Sequence, residues 1–174
     1  MSGSVGVRLV SVDDVDEVTA LVLRNLEFLA PWDPARDDDY ATEAVQRRLI
    51  TEALDRHAAD SAVPLVITDG HRIVGRINVN DIVRGAFQSA HLGYWVSEDR
   101  TGRGVATAAV AATVDLAFGP CGLHRLQAAT LVHNLGSQRV LQRNRFTLIG
   151  LAPRYLQIAG RRQDHLLFQR VVPS

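Results

Sequence analysis

The chain predicts an α/β fold of the mixed α+β kind, with a central, mostly antiparallel, twisted sheet of about seven strands flanked by four helices. Three observations carry that expectation. Segments of strand and helix period follow one another in the order βα-α-βββ-α-β-α-ββ, with no linker, low-complexity tract or internal repeat. Three strand-like runs between Val63 and Val96 are joined by short turns, as antiparallel neighbours are. One long helix then links the strand ending at Val96 to another at Arg125–Leu131, the crossover that joins parallel or splayed strands.

The elements follow in order. Val5 to Val10 reads as a first strand. Ser11 and Asp14 form a Ser-x-x-acid cap, and Val12, Val15, Val18, Val22 and Leu26 continue at near-helical spacing, so a first helix should end near Leu29. Two prolines around Trp32 impose an irregular loop. Asp37 to Asp39 are expected to begin a second helix, with acids at its positive end. Val63–Thr68 and Arg72–Ile82 pair across an Asp69-Gly70 turn, and Phe87–Val96 is the next strand. Val105 to Phe118 is apolar on more than one face, which predicts a central helix, stopped by Gly119-Pro-Cys-Gly122. After Arg125–Leu131 comes a short helix, Asn134–Arg143. Phe146–Gly150, Arg154–Ile158 and Asp164–Val171 close the chain as strands, the last two turning at Gly160.

Composition sets bounds on function. At 174 residues and 47% hydrophobic content, one domain over 1–174 with a substantial core is expected. Nineteen basic residues balance nineteen acidic ones, which argues against a nucleic-acid partner or an anionic membrane surface. Every basic residue among the nineteen is arginine, so no lysine serves as base or Schiff-base former. Cys121 is the single cysteine and makes neither an internal disulfide nor a metal cluster. The Met1-Ser-Gly-Ser-Val-Gly6 start lacks the pattern of a signal peptide, and no apolar run approaches the roughly 18 residues of a membrane helix. These readings point to a cytoplasmic enzyme or binding module with no metal.

Gly93 to Ala117 is the most informative stretch. A strand runs into Ser-Glu-Asp-Arg-Thr-Gly-Arg-Gly and at once into a long helix. Such a junction aims several backbone N–H groups into one space at the positive end of a helix dipole, where an anion such as phosphate is favoured. Gly102 and Gly104 keep that space clear of side chains. A P-loop is excluded, because it needs Gly-Lys-Ser/Thr. A Rossmann turn fits poorly: Thr107 stands where its last Gly or Ala belongs, and Asp115 lies inside the helix.

The same stretch resembles the acetyl-CoA loop of the GCN5-related N-acetyltransferases (GNAT), whose pattern is Gln/Arg-x-x-Gly-x-Gly/Ala. Thr101, Gly104 and Ala106 take its three positions, the first as a departure. Asn134, Ser137, Val140 and Phe146 are similar to the family's Asn-x-x-Ser-x-x-Val-x-x-Lys-x-Gly-Phe, with Arg143 in the lysine place and Arg145 in that of the glycine. Asn25-Leu-Glu-Phe-Leu-Ala-Pro31-Trp32-Asp-Pro34, Leu92-Gly-Tyr-Trp95-Val and Asp164-His165 resemble the RimJ/RimL branch, which acetylates N-terminal amines of ribosomal proteins.

The resemblance covers nearly the whole chain. It implies the GNAT fold, splayed at the acetyl-CoA site, acetyl-CoA as cosubstrate, and direct attack by an amine in a ternary complex. It assigns the thioester arm to the backbone of Tyr94, Trp95 and Val96. The phosphates fall to Thr101, Gly102, Arg103, Gly104, Val105 and Ala106, and the pantetheine to Asn134. Ser137 is the candidate proton donor to the thiolate, with Tyr155 second; His91 is a candidate base, with Glu27 and Asp164 as alternatives through water. Asn25, Trp32 and Asp164 are assigned to the acceptor side, and relatives imply a homodimer. Three readings follow: acetylation of a protein N-terminus, acetylation of a small amine such as a polyamine, amino sugar or antibiotic, or a non-catalytic CoA-binding module.

Overall fold

Ser11 begins the first helix as its sequence requires. A computed structural model describes residues 4–172; Met1, Ser2 and Gly3, on which the signal-peptide reading partly rests, lie outside them. The Ser11 side chain accepts from the Asp13 amide at 3.2 Å, and the Asp14 carboxylate accepts from the Ser11 amide at 2.7 Å. Arg8, on strand β1 (Val5–Leu9), donates to both Asp14 oxygens at 2.8 Å and holds that carboxyl below the usual range. Helix α1 (Val15–Leu29) follows one 3-10 turn and ends where predicted.

The second helix starts later than the acidic run proposed. Asp37, Asp38 and Asp39 lie in successive turns closed by Tyr40 N–H to Asp37 O and Thr42 N–H to Asp39 O, both 3.0 Å. Helix α2 (Glu43–Ala58) begins after Thr42, whose hydroxyl accepts from the Val45 amide. Carboxylates two turns upstream cannot cap a helix as well as a threonine whose extended backbone puts its oxygen at the third amide.

Strands β2 (Val63–Asp69), β3 (Arg72–Val83) and β4 (Ser89–Val96) form an antiparallel meander. Helix α3 (Val105–Phe118) and strand β5 (Arg125–Leu131) have the predicted bounds, and α4 (Leu135–Arg143) starts after Asn134 as its cap. The expected pair of strands at Phe146–Gly150 and Arg154–Ile158 is one strand, β6 (Thr147–Ile158), paired with β7 (Arg161–Val171). Register shifts at Leu148/Gly150 and Ala152/Leu156 absorb the interruption. Pro153 is tolerated because β6 is the outer strand, where an amide can be spared.

Among the described residues, seven strands form one sheet in the order β1-β2-β3-β4-β5-β7-β6, and only β4–β5 is parallel. Helix α3 packs on one face through Val105, Ala109, Val110, Val114 and Ala117, all buried. Its exposed side carries Ala108, Ala111 and Asp115, so alanine stands where a polar stripe is usual. Helices α1 and α2 cover part of the other face through Val18, Leu21, Val22 and Ile50 against Val66 and Ile73. Gly75 of β3 lies so close beneath β4 that a Cβ there would meet the Trp95 carbonyl oxygen at 2.3 Å. No side chain fits at position 75, where β3 meets the end of β4.

Arg145 stands at the end of α4 with φ of 61°, the left-handed conformation that ends a helix. The turn is kept: Phe146 N–H reaches Leu141 O at 3.0 Å, and Arg170 donates to Asn144 O at 2.8 Å. A non-glycine residue costs about 1 kcal/mol there. Arg145→Gly should therefore raise unfolding stability by about 0.5–1 kcal/mol, read from urea denaturation midpoints.

Candidate active site

Strands β4 and β5 separate after a short common stretch. Their register holds only at Ser89–Arg125, Ala90–Leu126 and His91–Gln127. Beyond it, Tyr94, Trp95 and Val96 pair with β3 alone, through Ile77, Arg76 and Gly75. One edge of β4 is left without a strand partner where it turns into the glycine loop.

That loop brings the second half of the site. A 3-10 turn at Glu98–Arg100 leads to Thr101, whose hydroxyl donates to Glu98 O at 2.8 Å. Its side chain is thus spent on the loop itself, where the family pattern has a longer Gln or Arg. Gly102 and Gly104 have φ of 72° and 80°, and a Cβ at either would point into open space. The first backbone bond of α3 is Ala108 N–H to Gly104 O. Among the described residues, the amides from Gly102 to Thr107 have no acceptor in the protein. They form an anion cradle at a helix start.

Helix α4 supplies the facing wall. Asn134 Oδ1 accepts from the Ser137 amide at 3.1 Å, so the asparagine caps the helix and fixes Ser137 in its first turn. The Tyr94 hydroxyl lies 2.8 Å from Ser137 Oγ and 3.3 Å from Ser137 O. Burial pushes the Tyr94 hydroxyl up to about 12, against the opposing pull of its bond to Ser137. This pair bridges β4 and the first turn of α4.

A cleft of about 510 Å³ runs through the gap. It is lined by Trp32, Tyr94, Trp95, Val96, Thr101, Gly102, Gly104, Val105, Ala106, Asn134 and Ser137, each predicted from sequence. Arg103 belongs to the same loop but is not on the wall. Arg100, Thr107, Arg139 and Arg143 line it too and were not predicted as site residues. Arg139 and Arg143 had a readable signal, since a four-residue spacing puts both on one side of α4. Trp32 stacks on His133 with ring centroids 5.5 Å apart, joining the proline loop to the β5–α4 turn. A second chamber of about 370 Å³ lies under the proline loop, lined by Glu27, Asp33, Asp37 and Tyr40, and shares Leu29 and Trp95 with the first.

Several expected site residues lie elsewhere. Asn25 is buried and fully engaged: its amide donates to Leu21 O at 2.8 Å and Ser97 Oγ at 3.0 Å, and its oxygen accepts from the Glu98 amide at 2.9 Å. It pins α1 to the start of the glycine loop rather than facing an acceptor. His91 sits at the paired end of β4, half exposed, with Nδ1 3.9 Å from Asp81 Oδ2, and does not line the cleft. Tyr155 packs beside His165 on the outer hairpin, with centroids 5.7 Å apart, also off the wall. Asp164 accepts from the Arg154 amide at 2.8 Å and so ties β6 to β7. Among the described residues, no group of three or more His, Cys, Asp or Glu is placed to hold a metal ion, and no helix is long and apolar enough to cross a membrane.

Comparison with known proteins meets this geometry. Residues 5–147 match the family described as "Acetyltransferase (GNAT) domain". The probable N-acetyltransferase YjcK of Bacillus subtilis is 35% identical over 170 residues, covering 97% of this chain and 94% of that protein. The [ribosomal protein uS5]-alanine N-acetyltransferase of Escherichia coli is 30% identical over 170 residues, 97% of this chain and 88% of its own. Mycobacterium smegmatis RimJ, solved in complex with CoA-disulfide, superposes with a TM-score of 0.94 at 32% identity, covering 97% of this chain and 82% of that one. A match of this extent, on a sheet that opens beside a glycine loop, means that the chain belongs to the GNAT N-acetyltransferases and stands with their RimJ/RimL ribosomal-protein branch.

Proposed function

We propose that this chain, acting as one catalytic domain, transfers the acetyl group of acetyl-CoA to a primary amine, the N-terminal amine of a ribosomal protein, by direct attack in a ternary complex. The observation that carries the reading is the open edge of β4 beside the free amides of Gly102 to Thr107. Those amides suit a pyrophosphate, and Arg139 and Arg143 across the cleft add positive charge. The unpaired main chain of Tyr94 to Val96 suits an extended amide arm, which binds as an added strand does.

The chain's own groups then divide the work. Main-chain N–H at the open edge polarises the thioester carbonyl and stabilises the oxyanion formed on attack. Asn134 orients the arm while capping α4. Ser137 donates to sulfur as the C–S bond breaks with its electron pair going to sulfur. The acceptor enters from the Trp32 side, and Glu27 in the adjoining chamber is a candidate for relaying its proton through water. The reading extends to a cytoplasmic homodimer, as the resemblance implies. The outer strand β6, which exposes Leu148, Ile149 and Leu151, is available as its contact face.

Thiol release from acetyl-CoA tests the reaction, with peptides starting in Ala, Ser or Met set against polyamines and aminoglycosides. Saturable turnover with a peptide is expected. Turnover with small amines alone would move the acceptor class, and no binding of acetyl-CoA would overturn the reading.

The pH dependence has a definite sign. Only the neutral amine attacks, and a free N-terminus titrates at about 8. The acceptor kcat/KM should thus rise about tenfold per pH unit below that value and level off above it. Tyr94, at about 12, stays protonated throughout that range. His91→Ala should leave the profile in place; a second, steeper limb lost in that variant would make His91 the base.

A further inference from the structure

The hydroxyl pair at Tyr94 and Ser137 has an internal asymmetry. Tyr94 carries one proton and faces two acceptors on the same residue, Ser137 Oγ at 2.8 Å and Ser137 O at 3.3 Å. When it donates to Oγ, the serine oxygen is occupied as an acceptor and its own proton is free to turn into the cleft. When it donates to the carbonyl, the serine is free to return its proton to Tyr94 and points away. The 2.8 Å contact fits donation in either direction, and the first arrangement is the one that leaves the serine proton for the cleft. A serine in the first turn of a helix, without such a partner, bonds instead to backbone carbonyls one turn back.

We propose that Tyr94 is a positioning residue whose hydroxyl holds Ser137 Oγ as an acceptor, so that the serine proton is aimed at the sulfur of the departing thiolate. The inference rests on the acetyl-transfer reading above. Tyr94 keeps its own proton, in accord with a hydroxyl whose burial pushes it up to about 12. The C–S electron pair goes to sulfur, the attacking nitrogen gives up a proton to water, sulfur takes the Ser137 proton, and the serine recovers one from that water as the products leave. The tyrosine ring is held independently, since it packs against the core that α3 forms with the sheet. Tyr94→Phe therefore removes the hydroxyl and little else.

Two measurements test this together. In turnover, Tyr94→Phe should lower kcat about tenfold with the KM for acetyl-CoA little changed, and Ser137→Ala should lower it at least as much. In the double variant, loss of the tyrosine hydroxyl should have no further effect. Equal additional losses in both backgrounds, or an unchanged kcat, would overturn the inference.

The second measurement needs no acceptor. The thiol of bound CoA is titrated by its thiolate absorbance in the wild-type protein and in each single variant. A donor aimed at sulfur stabilises the thiolate, so the wild-type complex should titrate about one pH unit below both variants, and the variants should agree with each other. Arg100, Arg139 and Arg143 line the same cleft and are common to all three proteins, so their charge cancels from the comparison. Identical titrations in all three complexes would refute the positioning role while leaving the acetyltransferase reading intact. Failure of the wild-type protein to bind CoA would remove both.

Discussion

Gly104→Val should weaken acetyl-CoA binding about a hundredfold in a calorimetric titration, with the far-ultraviolet circular dichroism unchanged. Gly104 precedes α3 with φ of 80°, a conformation that a β-branched residue adopts only under strain. That strain costs about 1–2 kcal/mol and is relieved by rotating the peptide plane, which turns loop amides away from the cleft. The added side chain also enters the open space in front of those amides. A loss of about 2.7 kcal/mol corresponds to the hundredfold. Gly104→Ala should fall between the two, since its Cβ carries the strain without the bulk. Unchanged affinity in the valine protein would mean that the free amides of Gly102 to Thr107 are not the anion site.

Asn25→Ala has the largest expected effect on stability, about 2–3 kcal/mol by urea denaturation. The substitution leaves the buried Ser97 Oγ, and the amide of the exposed Glu98, without their partner. An orphaned buried donor loses its full solvation, which exceeds the modest net value of a satisfied bond. Because Ser97 and Glu98 lead into the glycine loop, the KM for acetyl-CoA should rise in the same protein while the acceptor KM stays put. A rise confined to the acceptor KM, with stability retained, would return Asn25 to the substrate side.

How legible this molecule was depends on which physics governed each part. The α3 and β5 limits were readable because Gly104, Gly119 and Pro120 punctuate them and apolar content does the rest. The start of α2 was misread because three carboxylates are a charge preference, worth less than the oriented hydroxyl of Thr42. The unbroken course of β6 through Pro153 could not be inferred, since it depends on β6 being outermost, a fact of topology and not of local sequence. The same division holds in the site. Motif spacing located the glycine loop, Asn134 and Ser137, whose roles are tied to one turn of backbone. Asn25 was assigned by the motif around Trp32 and His91 by its place before Leu92-Gly-Tyr-Trp95, and only the packing of α1 and the pairing of β4 decide which way those side chains face. The tyrosine–serine pair spans 43 positions of chain and had no local signature.

Trp95 forms part of both chambers, the one beside the glycine loop and the one beneath the proline loop. Trp95, together with Leu29, is therefore a party wall. Any molecule that tilts it to make room on one side changes the volume on the other, and thermodynamic reciprocity requires the two occupants to alter each other's affinity by the same factor. On the acetyl-transfer reading proposed above, donor and acceptor preference are consequently coupled at this residue. A substitution that widens one room at Trp95 redraws the other, and selection for a new acceptor through this residue must carry the acyl donor along with it.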